Sequence, residues 1–203
     1  MKNLLSFSLV LIIAFTLTAC GNNTTTDSEE GTQTTTVSDL DITNQKILVA
    51  YFSISGNTEI IANQIQESVG GDIFKIETAA PYPADYDDLT DQAQQEQNDN
   101  FRPELANQVD NMDSYDVIFL GYPNWWGTIP MALFTFLEEN DLSGKKIVPF
   151  TTHDGSGFGR SISDIEKLSP EATIVEGFSV RGKSADSSQE DVSEWLAGLE
   201  INN

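Results

Sequence analysis

Three short stretches hold the residues whose types and spacing could do chemistry. The first is Ser53-Ile54-Ser55-Gly56-Asn57-Thr58, between an apolar run and a helical pattern. It offers three hydroxyls, one glycine and no Lys or Arg. Such hydroxyls, with the free N–H groups of a helix start, form a cradle for a terminal phosphate, and the helix dipole removes the need for a cation. A Walker A loop would end in Gly-Lys-Ser/Thr, which this one does not. The same residues would also serve as a plain capped helix start.

The second stretch contains Pro123, Asn124, Trp125, Trp126, Gly127 and Thr128. Two adjacent indoles beside Gly and Pro suit stacking on a flat aromatic ligand, with Trp126 the first candidate, although one of the two can instead cover the core edge. The third contains Thr152, His153, Gly155, Gly157, Phe158 and Gly159. Its alternating glycines let backbone approach a planar ligand closely. The spacing is Gly-x-Gly-x-Gly, which is not the dinucleotide fingerprint.

The elements that must position these stretches follow a regular alternation. KILVAYF (46–52), YDVIFLGYP (115–123) and KKIVPFTT (145–152) are near-continuous apolar runs, as strands covered on both faces require. DIFKIE (72–77) predicts a short edge strand and TIVEGFSV (173–180) a last strand. Helical patterns separate them at 58–70, 131–140 and 159–169, and an amphipathic helix from Ser188 to Leu199 closes the chain. Strands alternating with helices imply a doubly wound, five-stranded parallel sheet in order 2-1-3-4-5 with three layers, α/β/α. Ligands then bind beyond the carboxyl ends of strands one, three and four, where all three stretches lie. One connection, Thr78 to Ser114, is too long for a plain link; a polar helix is expected from Asp85 to about Asn100.

Phosphate in one loop, a planar ring in the next and bare backbone in the third together describe flavin mononucleotide. Here the chain resembles the flavodoxin family from Lys46 to about Leu199, with the hydroxyl-x-hydroxyl-Gly-x-Thr phosphate loop matched by Ser53 to Thr58. The Tyr-Pro-x-Trp-Trp-Gly-Thr and Thr-x-x-Gly-x-Gly-x-Gly patterns look like one subfamily of it. The resemblance implies FMN as cofactor. Flavodoxins often carry Trp-Gly-Asp beside the ring system; here Trp126-Gly127 is followed by Thr128, so the third position departs. Tyr122, His153 and Phe158 are the candidates for the aromatic residue that stacks on the outer ring face.

Charge and the N-terminus set the setting. The formal net charge of −22 over 203 residues excludes nucleic acid as a partner and favours a basic protein or a small molecule. Residues 1–19 read as an export signal, and Leu17-Thr18-Ala19-Cys20 resembles a bacterial lipobox, which implies lipidation at Cys20. Residues 20–45 are rich in Thr, Asn and Ser and read as a tether; 46–203 form the domain. With Cys20 the single cysteine and His153 the single histidine, an internal disulfide, a cysteine-based metal site and a histidine cluster are all excluded.

These features predict an FMN-binding electron-transfer protein, lipid-anchored on the extracytoplasmic face of the cell membrane. Two alternatives stay open: an FMN-dependent NAD(P)H:quinone-type reductase, and a surface binding module without redox activity. Arg102 is the only Lys or Arg between Lys75 and Lys145. It is a candidate for steering an anionic or quinone-like acceptor, against the simpler expectation that it pairs with Glu104 or Asp99.

Overall fold

A computed structural model describes Ile42 and residues 44–199. The signal segment, Cys20 and most of the expected tether lie outside the described residues. Ile42 is buried and joins the core, ahead of the boundary expected at Lys46.

The sheet is parallel, with β2 (Asp72–Lys75), β1 (Ile47–Tyr51), β3 (Val117–Pro123) and β4 (Lys146–His153) side by side. This is the 2-1-3-4-5 order that the alternation of apolar runs predicts. Successive residues of β1 point to opposite faces. Val49 and Tyr51 pack with Ile61 and Ile65 of α1 (Asn57–Val69) and with Val192 and Leu196 of α5 (Gln189–Gly198). Leu48 and Ala50 pack on the other face with Leu133 and Phe136 of α3 (Met131–Glu139) and Ile165 of α4 (Ser161–Leu168). Both faces of the central strands are therefore covered, which explains their unbroken apolar runs.

The fifth position corrects the single strand expected over 173–180. Two short segments, β5 (Thr173–Ile174) and β6 (Phe178–Arg181), both pair with β4. From Ile147 to Phe150 is three steps, while their partners Ile174 and Phe178 are four apart, so the outer strand carries one extra residue. The cause is Pro149. Lys145 and Ile147 accept from Thr173 and Val175, so the alternation turns Pro149 to the same edge, where it has no N–H to give. Gly177 fills the gap: a Cβ there would lie 2.5 Å from the Pro149 carbonyl oxygen.

The long connection is an ordered excursion. Its base is closed by Ala79 N–H to the Glu104 carbonyl and Ala106 N–H to the Glu77 carbonyl, each 2.8 Å. Within it lies α2 (Tyr86–Asn98), capped by the Asp85 carboxylate on the N–H groups of Asp87 and Asp88. Arg102 binds both oxygens of Glu138 on α3 at 2.7 Å and covers the Phe134 ring. It pairs with neither Glu104 nor Asp99, and this bidentate pair leaves it holding the connection to α3 rather than free to steer an acceptor.

Candidate functional site at the carboxyl ends of the strands

The three loops meet. Thr58 and Thr152, one in the first turn of α1 and one near the end of β4, share a hydroxyl–hydroxyl bond of 2.8 Å. The Asn124 N–H donates to the Thr152 carbonyl at 2.8 Å. The Asn124 side chain donates to the Gly157 carbonyl at 2.7 Å and accepts the Gly127 N–H at 3.0 Å. Arg160 N–H reaches the Gly127 carbonyl at 2.8 Å. That last approach demands a glycine at 159, where a Cβ would come within 2.4 Å of the Gly127 oxygen.

In the first loop, Gly56 precedes α1 in the left-handed conformation at φ 88°, and no side chain caps the helix. The helix start is thus left open for an acceptor. Ser53 is buried, and its Oγ has no hydrogen-bond partner. An unmet buried hydroxyl is costly, so a group that accepts from it would be favoured there. Ser55 is exposed. The Asn57 amide lies against Gly182, where a Cβ would come within 2.6 Å of its Nδ2.

In the second loop, Trp126 and Gly127 take φ values of 50° and 82° between the mutually bonded Trp125 and Thr128. This is a two-residue turn with both central residues left-handed. A tryptophan in that conformation stores about 1–3 kcal/mol of backbone strain. Its indole N–H donates to the Thr90 carbonyl of α2 at 2.9 Å. Trp125 packs edge-on against Phe52 and Tyr82, with centroids 5.5 and 5.2 Å away, so it is the indole that covers the core edge. Tyr82 in turn donates to the buried Glu96 at 2.7 Å, and burial followed by that carboxylate pushes its phenol pKa well up. Pro123 is half-buried at the end of β3.

Thr128 turns its side chain inward. It is fully buried, and its hydroxyl donates to Asp164 at 2.6 Å. Burial opposes the Asp164 carboxylate, yet Thr128, Lys167 and Arg160 outweigh it and hold its pKa below the usual range. Two stacking candidates also turn inward. Tyr122 is fully buried with its hydroxyl 2.8 Å from that of Ser161, and Phe158 packs toward Gly177 in the core.

In the third loop, the His153 Nδ1 accepts the Gly155 N–H at 2.8 Å. Burial, and then the Arg181 charge, hold its pKa below the ordinary histidine value, against a smaller opposing effect of Asp154. A neutral ring with Nδ1 accepting carries its proton on Nε2. Arg181 was not legible as a site residue. It ends β6 as the register partner of His153, donates to the Asp154 carbonyl at 3.2 Å, and lies against Gly155. With Arg160 it puts positive charge beside the loops, where the sequence suggested little. Only the register of β6 on β4 brings it there.

A second group missed by the sequence comes from α2. Tyr86, Leu89, Thr90 and Ala93 face Asn124, Trp125 and Trp126 across a pocket of about 250 Å³. Among the described residues no cluster of three or more His, Cys, Asp or Glu could hold a metal ion.

Comparison with known proteins agrees with this geometry. A crystallised candidate flavoprotein from Bacteroides eggerthii DSM 20697 is 35% identical, covering 78% of this chain and 100% of its own, with a TM-score of 0.69. Another from Bacteroides uniformis ATCC 8492 is 31% identical, over 76% of this chain and 99% of its own, with a TM-score of 0.68. A flavoprotein of Lactobacillus acidophilus NCFM, crystallised in complex with FMN, shares the fold at 22% identity and a TM-score of 0.60, over 73% of this chain and 99% of its own. A search of curated proteins gave no match. The family model described as flavodoxin matches residues 46–199, and with the loops, the sheet order and these relatives together, the chain belongs to the flavodoxin family.

Proposed function

We propose that this protein binds FMN across the carboxyl ends of β1, β3 and β4 and carries electrons at the outer surface of a cell membrane, to which Cys20 tethers it. Family membership supports the cofactor, and the residues present fit it. The observation that carries the reading is the buried, unpartnered Ser53 Oγ beside the open start of α1. A phosphate oxygen would satisfy the hydroxyl and the helix N–H groups together, with Ser55 and the Thr58–Thr152 pair completing the cradle. The glycines at 155, 157 and 159 and the backbone of Trp126 and Gly127 suit the flat ring system.

FMN supplies the one- and two-electron chemistry when bound; the chain supplies binding, orientation and charge. The His153 Nε2 proton and the Arg181 guanidinium are the groups placed to act on charge near the third loop. A net charge of −22 favours docking on a basic partner. The lipobox-like Leu17-Thr18-Ala19-Cys20 supports the tether, as does the Thr-, Asn- and Ser-rich composition of residues 20–45.

The test is direct. Protein purified from its host should be yellow and release FMN on denaturation, and the Cys20→Ala variant should leave the membrane fraction. Colourless protein that ignores added FMN would overturn the cofactor reading, and unchanged membrane association of Cys20→Ala would overturn the tether. A redox titration at two salt concentrations separates carrier from reductase. Two resolved one-electron steps, the second rising with salt, fit the carrier; a single two-electron wave with rapid reduction by a nicotinamide fits the reductase.

A further inference from the structure

Positive charge is scarce in this chain, and most of it is spoken for. Lys75 pairs with Glu59, Arg102 with Glu138, and Arg160 and Lys167 both pair with Asp164. Lys46, Lys145 and Lys146 stand at the amino ends of β1 and β4, away from the three loops. Arg181 and Lys183 differ. Both are exposed, and among the described residues neither has a carboxylate within ion-pair distance.

Their place is fixed from two sides. The Arg181 guanidinium donates to the Asp154 carbonyl at 3.2 Å and lies 3.4 Å from where a Cβ on Gly155 would sit. The next residue, Gly182, lies against Asn57, the first residue of α1. Lys183 follows in the 3-10 segment Gly182–Ser187. The two cations therefore flank the one glycine that touches the start of the cradle helix. At His153 the Arg181 charge acts more strongly than the opposing Asp154 carboxylate, so the field on this side is positive despite the acid beside it.

The cradle itself needs no cation. Its N–H groups, hydroxyls and helix dipole suffice for a phosphate already seated. They act at short range, however, since the dipole effect falls off within the first turn. A phosphate monoester carries nearly two negative charges at neutral pH, and it must approach a chain of −22. Beyond about 8 Å physiological salt screens most of that charge, so the groups nearest the mouth decide the approach. Those groups are Arg181 and Lys183.

We propose that Arg181 and Lys183 form an entry pair that draws the phosphate of FMN toward the start of α1, so that the site selects phosphorylated over unphosphorylated flavin by rate of association. The inference rests on the FMN reading. The pair acts on the approach, and the hydroxyls and N–H groups of the first loop hold what arrives.

The test uses the full chain loaded with FMN or with riboflavin. Flavin fluorescence follows release on dilution, equilibrium dialysis gives affinity, and the two together give the association rate. The double variant Arg181→Gln with Lys183→Gln should associate with FMN about tenfold more slowly at low salt, with an unchanged release rate. The gap to wild type should close as salt is added, and riboflavin should show no gap at any salt. Arg181→Lys, which keeps the charge, should restore the rate. An unchanged association rate in the double variant, an equal loss for riboflavin, or a loss carried by faster release would overturn the proposal. So would an Arg181→Lys variant as slow as Arg181→Gln, which would give Arg181 a purely structural role at Asp154. Wild-type chain that takes neither flavin would overturn the cofactor reading and this inference with it; FMN bound at the same rate by wild type and double variant would overturn this inference alone.

Discussion

The Asn124 amide clasps Gly157: Nδ2 donates to the glycine carbonyl at 2.7 Å while Oδ1 holds the Gly127 N–H at 3.0 Å. One short side chain thus sets the spacing between the tryptophan loop and the glycine loop. Two backbone bonds, Asn124 N–H to the Thr152 carbonyl and Arg160 N–H to the Gly127 carbonyl, join the same two loops.

Asn124→Ala removes both bonds. It should cost about 1–3 kcal/mol in stability, at roughly 0.5–1.5 kcal/mol per bond. FMN affinity should fall with it, because the two loops lose their common register. Asn124→Asp should be worse than Ala, since it sets a carboxylate oxygen against the Gly157 carbonyl. Chemical denaturation with FMN titration checks both; an Asp variant as tight as wild type would contradict the clasp.

Ser53→Ala should separate stability from binding. The apo protein should gain about 1 kcal/mol, because an unmet buried hydroxyl is gone. FMN should bind more weakly by about 1.5–3 kcal/mol, the value of a hydrogen bond to a charged acceptor. Riboflavin, which lacks the phosphate, should be nearly unaffected. Equal loss for both ligands would place the phosphate elsewhere.

The two tryptophans should behave differently. Trp125→Ala opens the cluster with Phe52 and Tyr82 and should cost about 3 kcal/mol of stability. Trp126→Gly relieves a left-handed tryptophan and loses one hydrogen bond, so its net effect should stay within about 1 kcal/mol. Thermal unfolding of the two variants checks this; equal destabilisation would mean that Trp126 is part of the core.

His153 should give the site an acid limit. Its folded-state pKa is held below the ordinary 6.5, so the unfolded chain binds the proton more readily. Stability is then full above about 6.5 and falls as pH drops from there toward the folded-state value. Protonating Nδ1 also breaks the bond from Gly155. FMN affinity should fall over the same window, and His153→Gln should flatten the profile. A profile unchanged in that variant would assign the pH dependence to other groups.

Much of this protein was fixed by short-range pattern. Continuous apolar runs named β1, β3 and β4 as strands buried on both faces, and their alternation with helices led to the 2-1-3-4-5 sheet. Once that order is set, the carboxyl ends of the three strands must lie together, so the three loops were legible as one site. The FMN resemblance rode on the same residues.

Tertiary structure decided which way the side chains of those loops turn. Thr128 and Phe158 stand in loop motifs, yet face Asp164 and Gly177. Trp126 reaches Thr90, Arg102 reaches Glu138, and Arg181 is set beside His153 by strand register. A polar or aromatic side chain goes where its partner is, and these partners lie tens of residues away in the chain. The split at Gly177 has the same character: Pro149 is visible in the sequence, but only the pairing of β4 shows that its missing N–H faces the outer edge of the sheet. Local periodicity reports which residues are buried; hydrogen-bond partnership across the sheet and between loops is set by the assembled fold.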